Sequence, residues 1–481
     1  MKLAQLFEGV ALKGALPDIE VTGLTSDSRK AGPGIVFFCI AGEKADGHDF
    51  APQAAAAGCA AVVAQRPTGA GAPELLAADT HEAYALCCAN FFGNPGKKLR
   101  LVGVTGTNGK TTTTCILKHM LERCGHKTGL VGTIRNLSGE RVLPAHYTTP
   151  EPLELQGLLA EMARDGCEYC VMEVSSHALA QKRVAGLTFA AGVFTNLTQD
   201  HLDFHKTMEN YLKAKQKLFE QSRVGIINAD DPRAPIILNE APCPTFTYGQ
   251  KAAADYAALD VQYRPDGISY TLGGREMNAP VRVEARLPGG FSVYNTLGAL
   301  ACAIRLGIPA RQAAEALASF PGVNGRIEVV PTGRDFTVII DYAHTPDGLE
   351  KILSAVRAFA RGRVVALFGC GGDRDKSKRP QMGQIAARGA DYLIVTSDNP
   401  RTEDPEAIIR DILAGLAGEK TPYTVLVNRR EAIEYALTHA RRDDVIVLAG
   451  KGHEDYQVLG TERVHFDEHE IVREILRSGK A

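Results

Sequence analysis

The segment Gly103-Val104-Thr105-Gly106-Thr107-Asn108-Gly109-Lys110-Thr111-Thr112 combines glycines, one lysine and adjacent hydroxyls, the residue types that hold phosphate. Leaving a strand and entering a helix, such a segment points its backbone N–H groups at anionic oxygens from the helix N-terminus. Lys110 then neutralises the β- and γ-phosphates of a nucleotide, and the Thr111 hydroxyl holds Mg²⁺. Val104 stands where the full G-x-x-x-x-G-K-[ST] pattern has its first glycine, so the match is partial. The alternative is a Gly-rich βα turn without a ligand; strand, Gly-Lys-Thr and helix together favour the nucleotide. Glu173 ends the apolar run Val171-Met172-Glu173-Val174, ahead of Ser175-Ser176-His177. A carboxylate there reaches a metal beside the phosphate loop or merely caps the strand end. The cluster Asp200-His201-Leu202-Asp203-Phe204-His205 offers oxygen and nitrogen ligands, or a hydrogen-bonded turn.

These groups must be positioned by strands. Apolar runs at Leu101 to Thr105, Cys170 to Val174, Gly192 to Asn196 and Gly225 to Asn228 each end in polar residues. A second series, Phe336 to Asp341, Val364 to Phe368, Tyr392 to Val395 and Val445 to Ala449, alternates with helical patterns. Continuous apolar strands spaced by helices predict α/β domains with doubly wound, mostly parallel sheets, whose ligands collect at the carboxyl ends of the strands. The chain has 481 residues, enough for about three domains at roughly 150 residues each. Turn-rich breaks at Asn94-Pro95-Gly96-Lys97-Lys98 and Pro321-Gly322-Val323-Asn324-Gly325 divide it into residues 1–97, 98–330 and 331–481. The alanine-rich stretch Ala54 to Ala61 reads as helical.

Lys plus Arg number 54 against 56 Asp plus Glu, a formal net charge of -2, so the chain lacks the basic excess of a nucleic-acid binder. Hydrophobic residues at 45% and charged residues at 23% are ordinary globular values and argue against general disorder. No apolar run approaches the ~18 residues of a membrane span, and Glu8 interrupts the stretch a secretory signal would need. The expectation is a cytoplasmic protein with no membrane insertion. Of its 11 cysteines only Cys167 and Cys170 form a C-x-x-C, inside an apolar segment and without a second pair, which favours buried thiols over a zinc site.

Gly106-Thr107-Asn108-Gly109-Lys110-Thr111-Thr112, the Glu173-Val174-Ser175-Ser176-His177 strand end and Asn196 to Asp203 occur in an order that resembles the Mur ligases, the ATP-dependent amide-forming enzymes of peptidoglycan precursor synthesis. Asp341-Tyr342-Ala343-His344-Thr345-Pro346, Gly369-Cys370-Gly371-Gly372-Asp373-Arg374-Asp375 and Gly450-Lys451-Gly452-His453-Glu454-Asp455 extend the resemblance to the C-terminal region. It implies an N-terminal UDP-sugar domain, a central P-loop ATPase domain and a C-terminal Rossmann-like amino-acid domain. The implied reaction adds meso-diaminopimelate to the γ-carboxylate of the D-glutamate in UDP-N-acetylmuramoyl-L-alanyl-D-glutamate through an acyl phosphate. The nearest alternative is the relative that adds L-lysine. The implied partners are these small molecules alone, and the implied state a monomer.

By the same resemblance Lys110, Glu173, His201 and Lys215 are catalytic, with Thr111, Glu173, His201 and a carbamylated Lys215 serving Mg²⁺. From the residues alone, Lys213-Ala214-Lys215-Gln216-Lys217 is a solvated helix face. The resemblance makes Lys215 the exception: a neutral amine that captures CO₂ becomes an anionic ligand. It assigns ATP to residues 106–112 with Asn295, Arg326 and Asp341, and the nucleotide dipeptide to Ser28, Glu43, Lys44, Ala45, Thr148, Thr149, Ser175, Gln181 and Arg183. Where the family often has Asn two residues before the first of these threonines, this chain has His146. Arg374, Asp398-Asn399-Pro400-Arg401, Gly450 and Glu454 fall to the amino acid. Diaminopimelate is lysine with one more carboxylate, so its pocket needs arginine forks for carboxylates and acidic acceptors for ammonium groups.

Overall fold

Each of the apolar runs forms a strand in the computed structural model, which describes residues 1–13, 16–42, 45–251, 253–264 and 266–479. The first sheet takes the order Leu12–Lys13, Glu74–Ala77, Ala61–Ala64, Ile35–Phe38, Gly23–Thr25, parallel except for its first strand. The alanine stretch is not one helix. The helix is Ala51–Ala56, Gly58 turns the chain at φ +82°, and Ala61–Ala64 is a fully buried strand. Alanine's helix preference yields there to burial in the middle of a parallel sheet.

The central sheet places Thr245–Gly249, Gly225–Asn228, Phe189–Phe194, Arg100–Thr105, Tyr169–Glu173 and Thr128–Val131 side by side and parallel, with Asn136–Ser138 and Arg141–Leu143 antiparallel beyond them. The strand expected to run to Asn196 is Phe189–Phe194, and beyond its end Thr195 N–H still donates to the Thr105 carbonyl at 3.0 Å. The strand Arg100–Thr105 is buried from Leu101 onward, as a parallel strand covered on both faces must be. It feeds the helix Lys110–Arg123, whose Ile116, Leu117, Met120 and Leu121 are fully buried. Each contributes about 2 kcal/mol of apolar burial, which fixes the helix against the sheet and so aims its N-terminus.

Thr337–Asp341, Val445–Ala449, Val364–Phe368, Tyr392–Val395 and Tyr423–Val425 form a third, parallel sheet with Glu328–Val330 antiparallel at its edge. Helices pack on both faces, giving two apolar clusters, one around Phe368 and Met382 and one around Leu367 and Ile433. The fold class is the expected three-domain α/β arrangement. By compactness the chain divides into two units, residues 1–256 with 298–313 and residues 257–297 with 314–481. Among the described residues no helix is long and apolar enough to cross a membrane.

Candidate functional site

In the first unit the phosphate loop lies between a buried strand and a helix N-terminus, as its sequence requires. Gly106 sits at φ +152°, and a Cβ there would overlap the Thr195 hydroxyl. Asn108 N–H donates to the Asn196 side-chain oxygen at 3.0 Å, while Asn196 Nδ2 and the Thr195 hydroxyl donate to the Asn108 carbonyl at 3.1 and 2.6 Å. Thr107 N–H donates to the Asn196 carbonyl at 2.9 Å. The loop is thus braced by residues from the neighbouring strand end. Lys110 Nζ folds back onto the carbonyls of Gly106 and Thr107, both at 2.9 Å, which keeps its charge over the loop. Thr112 continues the helix.

Glu173 is 1% exposed at the end of the adjacent strand. One carboxylate oxygen accepts from the Thr111 hydroxyl at 3.0 Å and from the Thr133 hydroxyl at 3.1 Å, the other from Thr133 N–H at 2.8 Å. Thr133 also meets Thr148 at 3.0 Å. Thr149 donates to the Glu173 carbonyl at 2.8 Å and accepts from Ser175 N–H at 3.0 Å. Ser175 caps the short helix Ser176–Ala180. Arg183 donates to the Thr149 carbonyl at 2.9 Å and to the Gln181 side chain at 2.7 Å, and pairs with Glu151 at 2.7 Å. The structure therefore joins Thr111, Glu173, Thr148, Thr149, Ser175, Gln181 and Arg183 in one bonded chain.

Lys215 points inward from the helix Met208–Glu220, 1% exposed, and its Nζ donates to the Gly106 carbonyl at 2.8 Å. Burial, with Lys110 adding its like charge, holds this amine's pKa well below the usual lysine range. Tyr211 lies 4.5 Å from that amine and 6.1 Å, ring to ring, from His201, so it bridges the two. His201 itself takes a left-handed φ of 53° and meets Asp200 at 3.4 Å. Ser28 stands apart in the first sheet's domain, donating to Gln53 at 3.2 Å, and the Ala45 carbonyl accepts from Gly42 N–H at 3.0 Å. Glu43 and Lys44 lie outside the described residues. A surface cavity of about 820 Å³ lined by His119, Arg123, Lys127 and Arg141 sits at the far end of the helix Lys110–Arg123 and contains none of these groups.

The second unit holds the remaining residues, and Asp341, Arg374, Asp398 to Arg401, Gly450 and Glu454 all lie at or just after the carboxyl ends of the third sheet's strands. Asp341 is buried at the end of its strand and accepts from the N–H groups of Ile327 and Ala343 at 2.8 and 2.9 Å. Burial pushes its carboxyl pKa up, against the pull of Arg326. Arg326 lies over the Tyr342 ring at 4.7 Å, and Gly450 N–H donates to the Asp341 carbonyl at 3.0 Å. Asn399 Nδ2 donates to Glu454 at 2.9 Å, beside the buried Asp398. After Pro400, Arg401 takes φ 52° and donates to the Gly372 carbonyl at 2.7 Å, while Arg374 remains exposed. Asn295 is buried in the helix Gly290–Arg305.

Comparison with known proteins identifies the family. Family models described as the Mur ligase family catalytic domain, the Mur ligase middle domain and the Mur ligase glutamate ligase domain match residues 20–84, 104–303 and 325–452. A relative from Clostridium acetobutylicum, UDP-N-acetylmuramoyl-L-alanyl-D-glutamate–2,6-diaminopimelate ligase 1, is 46% identical over 99% of both chains. The chain belongs to the Mur ligase family. Another Mur ligase, the diaminopimelate ligase of that name from Gloeobacter violaceus, is 48% identical over 96% of this chain and 95% of its own. A solved structure of a diaminopimelate ligase superposes with TM-score 0.73 at 32% identity, covering 100% of this Mur ligase and 99% of that chain.

Reasoning from residue types missed Thr133, Tyr211 and Thr195. Thr133 follows the strand Thr128–Val131 and was open to the same strand-end argument as Glu173. Tyr211 and Lys215 share a helix face with Leu218, a spacing that marks the buried side.

Proposed function

We propose that this Mur ligase joins meso-diaminopimelate to the γ-carboxylate of the D-glutamate in UDP-N-acetylmuramoyl-L-alanyl-D-glutamate, using ATP. The observation that carries the reading is the likeness to relatives of that name along nearly the whole chain. The local chemistry supports it. A carboxylate does not react with an amine at neutral pH; transfer of the γ-phosphoryl group to it makes an acyl phosphate, and the amine then displaces phosphate. Both steps concentrate negative charge, and Lys110 with the loop N–H groups is preorganised to meet it.

The donors also fit Mg²⁺. Thr111 and Glu173 offer hard oxygens, one of them a buried carboxylate, the set this ion takes beside nucleotide phosphates. Bound there it supplies neutralising charge to the phosphoryl group in transfer. The lowered pKa makes the neutral, nucleophilic form of Lys215 easier to reach: its nitrogen adds to the carbon of CO₂, loses a proton to solvent and becomes a carbamate. That anion, with His201, is suited to a second Mg²⁺. In the first unit residues 106–112 would hold the phosphates of ATP; in the second unit Asn295, Arg326 and Asp341 are the residues the family resemblance gives to the nucleotide. Thr148, Thr149, Ser175, Gln181 and Arg183, with Ser28 and Ala45, would hold the nucleotide dipeptide. Arg374 and Arg401 would fork onto the amino acid's carboxylates, with Asp398, Asn399 and Glu454 as acceptors and Gly450 leaving them room.

The test is phosphate release by the purified protein with ATP, Mg²⁺ and the nucleotide dipeptide. Release that depends on diaminopimelate supports the reading; release without any amino acid refutes it.

A further inference from the structure

Lys451 follows the strand Val445–Ala449 by two residues and is wholly buried, a position where lysine is rare unless paired. Its Nζ donates to the Asn399 side-chain oxygen and to Glu454 Oε2, both at 3.2 Å, and lies 3.6 Å from Asp398 Oδ1. The rings of Tyr456 and Phe466 stand 5.7 and 5.8 Å from it. One ammonium thus ties together three consecutive interests of the second unit: the Asp398-Asn399 turn, the loop carrying Glu454, and the aromatic wall beneath.

The arrangement leaves acceptors unspent. Glu454 Oε2 is taken by Lys451 and Asn399, whereas no described residue donates to Oε1. Asp398 Oδ1 is buried and accepts no hydrogen bond from the described residues. Two carboxylates this close repel unless a cation stands between them. With Lys451 in place the cluster carries one net negative charge and two open oxygens, the complement of one further ammonium group. A buried ion pair is a poor device for stability alone, since apolar side chains of similar volume serve as well or better.

We propose that Lys451 is a positioning residue for the amino-acid substrate: it holds Asp398, Asn399 and Glu454 in the arrangement that accepts the substrate's ammonium group. This rests on the ligase reading above. Lys451 acts through its neighbours, so its removal weakens the amino acid and leaves the other substrates alone.

The experiment measures KM for diaminopimelate, ATP and the nucleotide dipeptide on wild type, Lys451→Met and Lys451→Gln, with a melting curve for each. The expected result for the methionine variant is a diaminopimelate KM raised at least about tenfold, with the other two KM values within about twofold of wild type. Glutamine, which keeps a neutral donor, falls between. An unchanged diaminopimelate KM in a folded variant, or three KM values moving together, overturns the proposal. Failure of both variants to fold also overturns it, because Lys451 is then a core residue and no more. A wild type that does not use diaminopimelate is a different result and refutes the ligase reading instead.

Discussion

Replacing Lys215 by methionine separates what this lysine costs from what it does. The amine is 1% exposed and its pKa is held well below 10.5 by burial, so between that depressed value and 10.5 the folded protein carries it neutral where the unfolded chain carries it charged. The unfolded state then binds the extra proton, and stability contributed at this site rises with pH through the window between the depressed pKa and 10.5. Methionine fills a similar volume and does not titrate. In CO₂-free, metal-free buffer the difference in unfolding free energy between wild type and Lys215→Met should therefore shift toward wild type by up to about 1.4 kcal/mol per pH unit. Across the window between the depressed pKa and 10.5 the difference moves steadily toward wild type as the pH rises. Other groups titrating in this range cancel in the difference. Urea unfolding at a series of pH values reads it directly. Parallel stability curves for the two proteins would refute the claim that Lys215 is neutral in the fold. Ligase activity of the variant should fall at least about a hundredfold at every pH, since the carbamate proposed above cannot form on methionine.

Thr111→Val keeps the side-chain volume and removes the hydroxyl that meets Glu173 at 3.0 Å; phosphate release should fall about 10²- to 10³-fold with the melting temperature nearly unchanged. Gly106→Ala drives a methyl group into the Thr195 hydroxyl, and the stabilisation by ADP, about 2.7 kcal/mol at a hundredfold excess over Kd, should disappear in thermal unfolding. The ion pair between Arg429 and Glu468 is 2.8 Å long with both side chains 0% exposed. Arg429→Met alone should cost about 3 to 5 kcal/mol in urea unfolding, and most of that should return when Glu468→Leu is added. Arg401→Ala removes the guanidinium proposed to hold a substrate carboxylate and should raise the KM for diaminopimelate more than the KM for ATP.

The sequence made the phosphate loop legible because its chemistry is local: a strand, a glycine turn and a helix start lie within ten positions. The strand ends carrying Glu173, Asp341 and Asp398 were legible for the same reason, since a polar residue closing an apolar run is visible in one dimension. What was hidden depends on contacts between distant segments. Nothing in the run around Thr133 shows that it shares the Glu173 carboxylate with Thr111. Arg429 and Glu468 lie 39 positions apart with nothing in the sequence to link them, and only the fold shows each as the other's partner. The alanines near Ala61 misled because their helix propensity is a weak prior beside the burial available in the sheet. Lys215 is the instructive middle case: its neighbours Lys213 and Lys217 make it look solvated, while its helical spacing from Tyr211 and Leu218 puts it on the inner face.

The most direct test of the account offers the purified protein meso-diaminopimelate and L-lysine at equal concentration, with ATP, Mg²⁺ and UDP-N-acetylmuramoyl-L-alanyl-D-glutamate, and weighs the product by mass spectrometry. A single new nucleotide tripeptide carrying diaminopimelate is expected, with one phosphate released per product. A lysine-bearing product would contradict the assignment of Arg374 and Arg401 to the extra carboxylate, and ATP consumption with no tripeptide would contradict the ligase mechanism itself.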